Sequence, residues 1–292
     1  MAIWVAPEAS SGGIHRQLTG RLPGDPRSWG LLSPTDAMAW DLLPLLPLGI
    51  LAGLLSGLLG IGGGLIFSPL LLWLGLPPHQ ALATSTLAIM PTTMGGSLTH
   101  LRSRSLPMDA IGAIVLGACA GGVLFSRAGS WLEGWQLLAL QSLMYGLLTA
   151  VISPKAVGLE DPAQPLPLAG LGGVGLVAGW SSGLLGVGGG LVMVPLMVRG
   201  LRIGVYQAIR LSTMAVCASA TVASITFLAD GRANTSMALV LGLSAAAAAQ
   251  WSAKRLQSFR EQQLVWMIRL LCAFLAIDVG RRALLLLAGG SA

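Results

Sequence analysis

The sequence predicts an all-α polytopic membrane protein made of two homologous halves, and three observations carry that reading. Of 292 residues, 54% are hydrophobic and only 10% are charged, against about 25% charged in a typical soluble domain. No Asp, Glu, Lys or Arg occurs from Leu42 to Leu101, and none from Pro162 to Val198. A hydrocarbon core takes about 20 apolar residues per helical crossing, whereas a soluble core gives no reason to exclude charge for so long. Finally, one unusual string is written twice. Ser56-Gly57-Leu58-Leu59-Gly60-Ile61-Gly62-Gly63-Gly64 returns as Ser182-Gly183-Leu184-Leu185-Gly186-Val187-Gly188-Gly189-Gly190.

Residues 1–41 are rich in Gly, Pro, Ser and Arg and lack a continuous apolar stretch. They read as a flexible N-terminal tail rather than a cleavable signal peptide. The first membrane repeat, 42–153, carries apolar segments at about 42–60, 61–76, 80–101, 108–126 and 134–153. A polar, proline-bearing linker covers 154–166. The second repeat, 167–292, offers about 167–186, 187–199, 205–229, 235–253 and 263–280, with 281–289 as an extension. As one straight helix, Leu42 to Gly75 would run about 51 Å at 1.5 Å per residue, well beyond a core of about 30 Å. The chain must bend, and Gly62–Gly64 followed by Pro69 is where it can. Gly188–Gly190 followed by Pro195 repeats the arrangement. Glycine relaxes the backbone and proline removes a helix donor. The freed polar groups must then face protein or a wet cavity rather than lipid.

Basic residues choose between topologies. If each triple-glycine segment turns back, Arg102, Arg104, Lys155, Arg199, Arg202, Lys254, Arg255 and Arg260 share one side. Arg127, Arg232, Arg281 and Arg282 lie on the other, a split the positive-inside tendency favours. Five segments per half follow, and the second half is then inverted relative to the first. Interrupted hydrophobic segments at corresponding places in two halves point to a substrate site.

The expected substrate-binding residues are Gly62, Gly63 and Gly64 with Gly188, Gly189 and Gly190, joined by Ser85, Thr86, Arg210, Ser212 and Thr213. Exposed N–H groups at a glycine break, reinforced by the helix dipole, hold negative charge without a lysine in the bilayer. The hydroxyl residues follow each glycine segment at matching places, in Gln80-Ala81-Leu82-Ala83-Thr84-Ser85-Thr86 and Gln207-Ala208-Ile209-Arg210-Leu211-Ser212-Thr213. Small hydroxyl-bearing residues allow close helix approach, but they also bond simply to their own backbone. Arg210 has Ala83 as its counterpart and reads equally as an anion partner or an interfacial anchor. Arg269 reads as an anchor, His79 and His100 as boundary residues. Asp278 has Arg281 and Arg282 at i+3 and i+4, a spacing for local pairing.

Other classes lose ground here. Cys119, Cys217 and Cys272 show no metal or redox spacing, and neither a catalytic constellation nor a metal or cofactor site is expected. The chain reads as a non-enzyme. The net charge of +6 comes without an arginine-rich tract, so nucleic acid is not an expected partner. Gly60-Ile61-Gly62-Gly63-Gly64 follows no predicted strand and has no acidic residue about 20 positions on, unlike a dinucleotide loop.

At Gly57 to Gly64 with Pro69, Gln80-Ala81 leading to Ser85-Thr86, and the second copies Gly183 to Gly190 with Pro195 and Gln207-Ala208 leading to Ser212-Thr213, the chain resembles the TauE/SafE family of sulfite-exporter-like permeases. The resemblance covers about 42–289. It implies a multi-pass permease of the plasma membrane for small sulfur-containing or carboxylated anions, a secondary transporter with no ATPase of its own. Partners expected on this reading are the anion, the lipid bilayer, a proton as candidate coupling ion and a second copy as candidate homodimer. Two departures stand out: Arg210-Leu211 replaces a small residue and Thr, and the last helix carries Asp278, Arg281 and Arg282. The rival class is a non-transporting membrane assembly or scaffold protein.

Overall fold

A computed structural model describes residues 44–59, 63–102, 106–151, 167–253 and 261–289. The tail expected at 1–41, residues 60–62 with the expected site residue Gly62, and the linker expected at 154–166 lie outside the described residues. Ten helices are described: α1 Leu45–Leu59, α2 Gly64–Trp73, α3 Pro78–Arg102, α4 Met108–Ala128, α5 Gly134–Val151, α6 Leu168–Leu185, α7 Gly190–Pro195, α8 Val205–Ala229, α9 Thr235–Ala253 and α10 Glu261–Leu287. They match the expected segments in number and order, with 281–287 continuing α10 rather than forming a separate piece. Three helical stretches are long and apolar enough to cross a membrane by length and composition alone: Met108–Trp131, Leu168–Leu185 and Gln207–Ala229. This is a multi-pass helical architecture.

Packing runs between the halves. Helices α4 and α6 lie parallel and nearly backbone to backbone. A Cβ on Gly117 would stand 2.1 Å from the Gly172 oxygen, one on Gly175 2.2 Å from the Ile114 oxygen, and one on Gly183 2.8 Å from the Ser126 nitrogen. Apolar side chains gain little from burial between helices in lipid, so small residues that permit close approach hold such pairs. The corresponding pair, α1 and α9, is built alike, since a Cβ on Gly53 would meet the Ala245 oxygen at 2.3 Å.

Two further pairs run antiparallel. Ser97 in α3 donates to the Thr213 carbonyl early in α8 (3.2 Å), while Thr84 near the other end of α3 accepts from the Asn234 N–H beyond α8 (2.9 Å). In α5 and α10, Ser142 donates to the Ala276 carbonyl (2.7 Å), and Tyr145 neighbours Cys272.

The last carbonyls of a helix have no partner within it, and three arginines of the second half serve such carbonyls in the first. Arg282 donates to Leu72 at the end of α2 (3.1 Å), Arg232 to Ser126 in the last turn of α4 (3.1 Å), and Arg199 to Val151, the final residue of α5 (3.0 Å). A cation at the negative end of a helix dipole adds a favourable term. Asp278 pairs as its spacing predicts, with Arg282 at 3.2 Å and Arg281 at 3.4 Å. It also accepts from the Trp73 indole N–H (2.7 Å). The three cysteines are free, Cys272 buried and the others half-buried.

Candidate functional site

The second glycine turn is fully described. α6 ends at Leu185, and Gly186 caps it in the left-handed region (φ 64). Gly188 (φ 81) and Gly189 (φ 69) continue the turn, and α7 starts at Gly190. A side chain at Gly189 would suffer both the left-handed backbone and a Cβ 2.6 Å from Ser181 Oγ. In the first turn, Gly63 (φ 85) precedes α2, which begins at Gly64. Gly62 lies outside the described residues.

The two turns meet. A Cβ on Gly64 would fall 2.1 Å from the Val187 oxygen and 2.5 Å from Ile89 Cδ1. Glycine is the residue that lets these two backbones touch. In this conformation Gly63, Gly64 and 181–190 are all buried and Gly64 abuts Val187, so the described residues of the two turns are in direct contact.

The hydroxyls expected around the site converge on the second turn. Ser85 donates to the Gly186 carbonyl (2.7 Å); Thr86 donates to Leu82 (2.9 Å) and to Ser182 (3.2 Å). Ser212 reaches the Gly190 carbonyl at 3.4 Å, but Thr213 bonds back to Ile209 in its own helix (2.9 Å). Arg210 is half-buried in the second turn of α8, with no hydrogen bond or ion pair among the described residues. The four hydroxyls thus spend their protons on backbone carbonyls. Among the described residues the N–H groups of Gly64 and Leu65 have no backbone acceptor, whereas the next two, of Ile66 and Phe67, bond Gly63.

Sequence reasoning missed a polar group behind α2. Pro69 has no N–H, so the Leu65 carbonyl four residues earlier loses its helical donor. Tyr145 Oη supplies one at 3.2 Å. Gln141 Nε2 in turn donates to Tyr145 Oη and Ser68 Oγ, both at 2.9 Å. Gln141 and Tyr145 stand four apart on one face of a largely apolar helix, and that spacing was the available signal. Tyr145→Phe strips a donor from Leu65 and an acceptor from Gln141. It should cost about 1–2 kcal/mol, read as a lower Tm in detergent.

The helices define a multi-pass helical membrane protein. The chain belongs to the family described as sulfite exporter TauE/SafE, whose model matches residues 45–279. It is 26% identical over 223 residues to the probable membrane transporter protein YunE of Bacillus subtilis, covering 68% of this chain and 82% of that one. A probable membrane transporter protein of Xylella fastidiosa strain 9a5c is 31% identical over 174 residues, 58% of this chain and 67% of its own length. Sulfite exporter TauE/SafE family protein 3 of Arabidopsis thaliana is 56% identical over a short stretch of 41 residues, 14% of this chain and 9% of the plant protein. No solved structure matches.

Proposed function

We propose that the protein is a secondary transporter of the plasma membrane for small sulfur-containing or carboxylated anions, working by alternating access about two inverted five-segment repeats. The observation that carries this reading is the meeting of the two duplicated glycine turns at Gly64 and Val187. Inversion draws support from α3 against α8 and α5 against α10, equivalent helices of the two halves that run antiparallel. The tie of Arg282 to Leu72 on one face and of Arg199 to Val151 on the other fits the sidedness expected from the basic residues. The names of the bacterial relatives favour transport over the scaffold alternative, and the family description suggests sulfite as the first anion to try.

On this reading the anion sits between the turns, held by first-turn N–H groups of α2 and the glycine backbone of 188–190, with Arg210 approaching from α8. The turns must part to admit it. Ser85 would then exchange its bond to Gly186 for one to the anion, so substrate and turn compete for the same proton. Sulfite or organosulfonate flux into proteoliposomes should saturate with concentration. Gly189→Leu, in protein that remains folded by gel filtration, should lower it at least about tenfold. Wild-type flux in that variant would remove the glycine turn from the site.

A further inference from the structure

A small half-open pocket lies on the face where α3 begins and α4, α6 and α8 end. Its walls include His79, Leu82, Gly129, Gly183, Phe227 and Arg232. Arg232 is fixed on several sides. Its Cζ stands 4.8 Å from the Phe227 ring centroid, Nη2 donates to the Ser126 carbonyl, and Nε and Nη2 bond Asp230. The Asp230 side chain is 44% exposed and that of Arg232 only 18%. The pair therefore turns its carboxylate to the rim and its guanidinium inward, and no carboxylate is among the pocket's lining residues. Nη1 finds no partner among the described residues. The pocket also adjoins the glycine turn: Gly183 and Leu82 line it, and the Leu82 backbone lies 2.6 to 3.0 Å from where a Gly186 Cβ would stand.

We propose that this pocket is an oxyanion docking site, the first stop for a soluble anion travelling from this face toward the glycine turns. A guanidinium with spare N–H groups matches the paired oxygens of sulfite, a sulfonate or a carboxylate better than a lysine would. Because stacking on Phe227 and the bond to Ser126 already hold it in place, little ordering is required when the anion arrives. The enclosed space is about 10 Å³, room for about one water, so the anion docks at the mouth against the guanidinium and keeps its hydration on the outer side. The proposal rests on the reading of the protein as an anion permease. A lipid phosphate carries the same oxygen chemistry, and the test separates the two.

Sulfite flux is measured against concentration in uniformly oriented proteoliposomes of neutral phosphatidylcholine, with sulfite added on either face. Arg232→Gln should raise the half-saturating concentration about tenfold, the loss of one charge-assisted hydrogen bond. This should hold from the pocket face only, with the maximal rate within about twofold of wild type. Arg232→Lys, which keeps the charge, should fall between. Asp230→Asn unmasks the guanidinium and should shift half-saturation the opposite way. Unchanged half-saturation in both Arg232→Gln and Asp230→Asn overturns the proposal and leaves Arg232 as a helix-end tie. So does an effect confined to vesicles containing phosphatidylglycerol, which would assign the guanidinium to a lipid headgroup. Sulfite-induced thermal stabilisation in detergent, lost in Arg232→Gln, supplies a readout independent of flux. Protein that binds sulfite through Arg232 and moves none rejects the permease reading while retaining the docking site.

Discussion

Gly64→Ala should nearly abolish transport while leaving the protein in the membrane. The added methyl carbon would stand 2.1 Å from the Val187 oxygen and 2.4 Å from its carbonyl carbon. Both belong to backbone within the other glycine turn, so the clash cannot be relieved by rotating a side chain. Overpacking of this kind costs about 1–3 kcal/mol, and the turns must separate to accommodate it. Proteoliposome flux should fall below about a tenth of wild type, with a lower Tm in detergent. Gly112→Ala is the control. Its Cβ would meet nothing within 4 Å, and alanine is favoured over glycine within a helix by about 1 kcal/mol. Flux and Tm in that variant should stay level or rise. Equal damage from both substitutions would mean that the meeting of the turns has no special role.

Asp278→Ala should be the most destabilising change away from the glycine turns. Its carboxylate bonds Arg282 and the Trp73 indole, and the side chains of Asp278 and Arg282 are only 13% and 18% exposed. Removing it strands a half-buried cation and an indole N–H together. Breaking one side of a buried ion pair costs about 3–5 kcal/mol, and the partial exposure here puts the expected loss near the lower end, about 3 kcal/mol. Asp278→Asn keeps an acceptor for Trp73 and should lose less. Arg281→Gln touches the same carboxylate, but that arginine is 68% exposed, so its loss should stay within about 0.5 kcal/mol. Thermal unfolding in detergent ranks the three. A stable Asp278→Ala variant would show that α2 does not depend on α10 for its outer anchor.

Much of this architecture was readable in the chain because its signals are local. Apolar segments punctuated by Pro77-Pro78, Pro107 and Gly134 mark helix limits directly, since proline and glycine act on their own backbone. The pairing of Asp278 with Arg281 and Arg282 follows from helical spacing alone. Which helices touch is another matter. Nothing in a single sequence says that Gly117 rests on Gly172 rather than on a lipid tail, because either placement satisfies a small apolar residue. The same holds for Tyr145 and the carbonyl freed by Pro69, partners 80 residues apart. Duplication singled out both glycine strings in the sequence. Their direct contact was not legible, and the hydroxyls of Ser85 and Thr86 gave no sign that helix-break carbonyls would take their protons.

The crossed pairing of α1 with α9 and α4 with α6 limits how the molecule can rock. Each tight seam joins one helix from either repeat, sealed by glycine and alanine backbones that leave little room to slide. On the proposed two-repeat reading, neither repeat swings as a lobe without parting both seams. The pivoting unit on that reading is a chimera, drawing helices from both ends of the chain and moving against a second chimera of like make-up. Cross-links placed within a seam should then be silent in transport, whereas a cross-link between the two seams should lock it.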